Sequence, residues 1–145
     1  MNPSRILPDL QCALLCEDVR QEVNGNFLVL GIMNVIRVPQ VPITAARLCL
    51  FNRWVAGYGQ FLETVRFIAP DQTTVLRKND LRFALQDVAF SATTASILSP
   101  VQLETPGAYY VEVLVDDVMK LRFPISVIVA PPEQRPPAGG PKKEP

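Results

Sequence analysis

Apolar and polar residues alternate along most of this chain with a period of two, which marks half-buried strands, whereas a helix would repeat near 3.6. The run 27-FLVLGIMNVIRV-38 is aliphatic and β-branched, follows the turn signal Asn24-Gly25 and is closed by Pro39 and Pro42. Next come 46-ARLCLFNRW-54 and 60-QFLETVRFIA-69, separated by Gly57-Tyr58-Gly59, which predicts a hairpin. In 81-LRFALQDVAF-90, Leu81, Phe83 and Leu85 share a face before the apolar set changes parity to Val88 and Phe90, predicting a bulge near Gln86 and Asp87. The segment 13-ALLCEDVRQEV-23 repeats apolar residues every four positions. It has no capping residue at its start and Asn-Gly just after it, so it reads as a strand followed by an irregular turn. Seven or eight short strands with turn signals about every ten residues predict an all-β antiparallel sandwich or barrel.

The stretch 106-PGAYYVEVLVDDVMKLRFPISVIV-129 reads as a closing hairpin. Tyr109, Val111, Val113 and Val115 share one face, and the returning apolar set, Met119 to Val129, is also odd-numbered. A two-residue turn at Asp116-Asp117 places Val115 opposite Val118 and Val113 opposite Lys120, mixing apolar with polar on one face. The three-residue connection Asp116-Asp117-Val118 pairs Val115 with Met119, Val113 with Leu121 and Val111 with Phe123. It also sets Glu112 opposite Arg122, a cross-strand ion pair worth roughly a few tenths of a kcal/mol. The longer connection is therefore predicted.

The start of that stretch, Gly107-Ala108-Tyr109-Tyr110-Val111, resembles the penultimate strand of immunoglobulin-like sandwiches. There a Tyr two residues before the core position turns its hydroxyl back onto the preceding corner. The resemblance implies that Tyr109 is the corner tyrosine and that Val111 stands where that fold carries a cysteine, without the inter-sheet disulfide. The blocks 11-QCALLCEDVRQE-22, 48-LCLFNRW-54 and 106-PGAYYVEVLVD-116 are similar to a family of short uncharacterised bacterial proteins. That resemblance implies a bacterial, cytosolic, single-domain protein and supplies no activity. The expected organisation is an N-terminal extension over 1–9, the immunoglobulin-like β-sandwich over 10–130 and a Pro/Gly-rich disordered tail over 131–145.

Composition narrows the partners. With 48% hydrophobic and 19% charged residues the chain suits a globular domain, and 14 basic residues balance 14 acidic ones. Nothing in that balance points to nucleic acid or an anionic membrane. No apolar run reaches the ~18 residues of a membrane span. Three cysteines, Cys12, Cys16 and Cys49, make an odd set beside apolar neighbours, which suits buried free thiols in a reducing cytoplasm.

Chemistry is hard to find. The chain has no histidine, which removes the commonest general base, the Ser-His and Cys-His nucleophile systems and most zinc sites. Cys12 and Cys16 lack the C-x-x-C spacing of a thiolate metal site. Asp116 and Asp117 could converge on Ca²⁺, but Asp is also a good turn residue, and the turn is preferred. No catalytic, cofactor or metal residue is therefore assigned, and no enzyme is expected. In 52-NRWVAGYGQF-61, Arg53, Trp54 and Tyr58 are residue types enriched in binding hot spots. Alternatively Trp54 and Phe61 plug the core while Tyr58 caps it. The expectation is a non-enzymatic interaction module that binds another protein or itself, through an edge strand or the loop carrying Arg53, Trp54 and Tyr58. The alternative is a small-ligand or carbohydrate-binding sandwich with Trp54 and Tyr58 as a stacking platform.

Overall fold

The computed structural model describes residues 5–45 and 47–130. The tail expected over 131–145 lies outside them. The described chain is all-β and has eleven strands, more than the seven or eight expected. In order they are β1 (Asp9–Gln21), β2 (Phe27–Ile32), β3 (Val35–Val38), β4 (Ile43–Ala45), β5 (Leu48–Val55) and β6 (Gly59–Ile68). There follow β7 (Val75–Leu85), β8 (Ser91–Leu98), β9 (Val101–Leu103), β10 (Gly107–Val115) and β11 (Val118–Val129). One sheet has the order β2-β1-β5-β8, a second the order β3-β11-β10-β6-β7, and β4 pairs with β9 in a small third sheet. All pairings are antiparallel except β3 with β11, which run parallel.

The two larger sheets share one core. Leu15, Leu48, Leu50, Trp54 and Leu98 of the first sheet pack against Val65, Phe67, Tyr109, Val111, Val113, Val115, Ile125 and Val127 of the second. Along β6 and β10 the side chains that enter this shared core are odd-numbered, as the period of two requires. Burying large aliphatic and aromatic side chains supplies the main driving force, at about 25 cal/mol per Å² of apolar surface.

Four sequence expectations need correction. The run 27–38 is not one strand: Gly31 adopts φ +67°, and the chain passes from β2 in one sheet to β3 in the other. The runs around the Gly-rich break are not a hairpin either. β5 and β6 lie in different sheets, and the link between them turns at Ala56, with φ +60°. It passes so close to Pro8 that a Cβ on Gly57 would lie 2.6 Å from the proline ring. No bulge forms at Gln86–Asp87, because β7 ends at Leu85. A turn follows, in which the Asp87 carboxylate accepts the Ala89 N–H at 2.8 Å, leaving Val88 and Phe90 exposed.

The fourth correction concerns the closing hairpin. Val115 pairs with Val118 across a two-residue turn, Asp116-Asp117, with φ +46° and +66°. Positive φ at both central residues is the geometry that matches the right-handed twist of the flanking strands, and Asp tolerates it. Parity is restored further along by a bulge: Leu114 pairs with Met119 and Val113 with Leu121, so Lys120 is the extra residue. Beyond it the predicted pairs Val111–Phe123 and Glu112–Arg122 hold.

Candidate functional site

Trp54, one residue before the end of β5, faces inward and is 0% exposed. Its ring stacks on Phe83 with centroids 5.5 Å apart, and Nε1 donates to Glu63 Oε1 at 2.7 Å. The Glu63 carboxylate, also fully buried, accepts Thr94 Oγ1 at 2.5 Å and Ser96 Oγ at 3.4 Å. These bonds run from β6 to β5 and β8 and fix how one sheet sits on the other. The indole is therefore core, and neither a hot spot nor a stacking platform can be built on it. Tyr58 is half-buried, and its backbone exchanges two 2.9 Å hydrogen bonds with Ile6, tying residues of the expected extension to the domain. Arg53 points to the opposite face of β5 from Trp54, where Nε donates to Gln11 Oε1 at 2.5 Å. The structure thus separates the three residues proposed as one binding loop.

The residues assigned structural roles lie along β10 and its neighbours. Tyr109 is buried, and its hydroxyl donates to the Thr105 carbonyl at 2.7 Å, closing the corner before β10. Val111 is fully buried in the shared core. Glu112 stands on the outer face between two cations, 3.1 Å from Arg66 Nε and 3.5 Å from Arg122 Nη1, and Arg122 lies over the Tyr110 ring at 4.6 Å. Asp116 is engaged by protein groups. It pairs with Arg5 and accepts the Leu62 N–H at 2.9 Å, and the Arg5 pairing above all holds its carboxyl below the usual range. Among the described residues no group of three or more Cys, Asp or Glu converges to hold a metal ion.

The outer face of the four-stranded sheet carries a second, smaller apolar cluster. Cys16 and Cys49 are cross-strand partners there, buried with Phe51 beside Cys12, Leu14 and Val29. Burial, with the neighbouring Cys49, pushes the Cys16 thiol up to about 12, and burial raises Cys49 as well, so both are protonated and unreactive near neutral pH.

This cluster continues onto β2, the edge strand of that sheet. Phe27 meets Phe51 edge-to-face at 6.4 Å, and Val29 packs on the thiol cluster. Leu28 and Leu30, alternating with them, point to the other side. Phe27 is 38%, Leu28 44%, Leu30 38% and Ile32 55% exposed, and the strand holds no charged residue. Native edges are normally guarded by charge, brevity or cover. β7 carries Arg77, Lys78, Asp80 and Arg82; β3 is four residues long and carries Arg37; β8 runs alongside β7. Among the described residues β2 has none of these protections. An edge strand was foreseen as an interaction surface, but β2 itself was missed because 27–38 read as one continuous run. The available signal was an uncharged stretch directly after the Asn24-Gly25 turn.

Over residues 11–128 the chain matches the model of a family of unknown function (DUF6941), and it belongs to that family. This bears out the resemblance to an uncharacterised family spanning a single domain. No curated protein matches the chain.

Proposed function

We propose that this family member is a non-enzymatic interaction module that accepts a partner strand on the free edge of β2. The observation that carries the reading is the edge itself, six uncharged residues with apolar side chains on both faces and, among the described residues, no neighbouring strand on one side. Strand addition satisfies the outward backbone N–H and C=O groups and covers Phe27, Leu28, Leu30 and Ile32 together. The core order β1-β5-β8 against β11-β10-β6, with the Tyr109 corner, supports an immunoglobulin-like topology for the scaffold, to which β2, β3, β4 and β9 are additions. Three free thiols support a reducing compartment such as the cytoplasm.

A photoreactive amino acid placed at Leu28, with one at Arg82 on β7 as control, tests this in cells of the native host. The expected result is a protein adduct from position 28 that is missing from position 82. If irradiation gives no adduct at position 28, either with another chain or with itself, the edge is not a docking surface and the proposal fails.

A further inference from the structure

Resting on that reading of the β2 edge, we infer that its occupant is a second copy of this chain, paired antiparallel across a two-fold axis at Leu28. The hairpin before β2 sets the hydrogen-bond phase. Glu22 N–H donates to the Asn26 carbonyl at 2.7 Å, so the Glu22–Asn26 pair bonds inward toward β1. Antiparallel ladders alternate, so Phe27 and Val29 direct their N–H and C=O groups away from β1, while Leu28 and Leu30 bond to Arg20 and Asp18. Two outward-bonding residues flank Leu28 symmetrically. Turning the strand about a two-fold at Leu28 places Phe27 against Val29 of the other copy, and Val29 against its Phe27. Two such pairs close four backbone hydrogen bonds, and no other register uses both outward residues of both copies in reciprocal pairs.

The side chains suit that register. On one face each Phe27 lies beside a Val29, an aromatic and β-branched cross-strand pair of the kind that stabilises sheets. On the other face Leu28 meets its own copy. A two-fold sets identical residues near one another, so any charge on the strand would repel itself. β2 holds none, whereas the same operation on β7 would bring its lysine and arginines together. Gly31, at φ +67°, departs from the extended path, so the ladder between the copies is expected to stop at Leu30, while β2 stays paired with β1 through Ile32. Six residues per copy fall short of the ~800 Å² per partner of a standard stable interface, so the dimer is expected to form at micromolar concentration.

Sedimentation equilibrium of the purified full chain from about 1 to 500 µM tests this. Wild type is expected to dimerise reversibly. Leu28→Lys puts two ammonium groups on the axis and Val29→Pro removes two of the four donors. Each is expected to weaken dimerisation at least tenfold, with the circular dichroism of the monomer unchanged. Leu28 is 44% exposed, so its replacement leaves the core intact. Independently of affinity, Leu28→Cys is expected to give a disulfide-linked dimer under mild peroxide, two thiols becoming one disulfide as the peroxide is reduced to water. Val23→Cys, at the exposed hairpin tip, is expected not to. A wild type that stays monomeric at 500 µM overturns the second copy. So does a dimer indifferent to both substitutions. In either case a position-28 adduct with a different protein keeps the edge reading alive, and its absence ends both.

Discussion

Glu63 is a carboxylate held inside the core by neutral donors, and its alternation was visible in the sequence. In 60-QFLETVRFIA-69 it falls in phase with Phe61, Val65 and Phe67, so a period of two already sends it inward. Its donors were not legible, because Trp54, Thr94 and Ser96 come from the facing sheet. Glu63→Ala leaves an indole N–H and two hydroxyls unpartnered beside a cavity. It is expected to cost about 3 kcal/mol in urea unfolding, and Glu63→Gln, which keeps an acceptor for Trp54, less than half of that. Asn52, one pair away, is fully buried with neither amide atom hydrogen-bonded to protein. Asn52→Leu replaces that amide with an apolar group of similar shape and is expected to raise stability by about 1–2 kcal/mol in the same assay. Asp71 gives the pH test. Its carboxylate accepts the N–H groups of Thr73 and Thr74 and the Thr74 hydroxyl, and these bonds, the hydroxyl's above all, lower its pKa to about 2. A carboxyl held below its unfolded value stabilises the fold above that value, and the contribution fades as pH falls through the folded one. The stability gap between wild type and Asp71→Ala is therefore expected to be constant above pH ~4 and to close toward pH ~2.

At the scale of elements, the closing hairpin shows what parity can and cannot decide. Tyr109, Val111, Val113 and Val115 of β10 do share the core with Phe123, Ile125 and Val127 of β11, and Glu112 does meet Arg122. The position of the irregularity was misjudged, because Met119 was counted as core-seeking when it lies exposed beside the turn. A tight turn with the extra residue at Lys120 satisfies the same parity as a longer turn. Deleting Lys120 converts the ladder to a regular one with every core pair kept, so the Val111–Phe123 contact is expected to survive by nuclear Overhauser measurement. Asp117→Gly removes a side chain from a left-handed position and is expected to stabilise by about 0.5–1 kcal/mol, read from the thermal midpoint. Local alternation made β1, β5, β6, β10 and β11 legible, whereas β4, β8 and β9 went unread. Strand partners were not legible, since β5 to β6 and β2 to β3 each cross between sheets at a Gly or Ala with positive φ, a choice that only tertiary packing makes.

Across the whole molecule, the two faces of the four-stranded sheet have different characters. The inner face makes the main core, and the outer one buries two thiols under a modest apolar cluster that runs to the unguarded β2 edge. In native protein at pH 8, iodoacetamide is expected to modify half-buried Cys12 before Cys16 and Cys49, with mass spectrometry locating the label. Equal modification of all three would mean that the cluster is open. The parallel pairing of β3 with β11 has a consequence for synthesis. β3 finds its hydrogen-bonding partner about ninety residues later in the chain, and Ala130 N–H then reaches back to the Val38 carbonyl at 2.8 Å. At roughly 5–20 residues per second, a nascent chain carries β3 unpaired for about 5–20 s after that strand is made. The first sheet can assemble through β8 in that interval, but β11, the last of the described strands to leave the ribosome, is the one that latches the first half of the protein to the second.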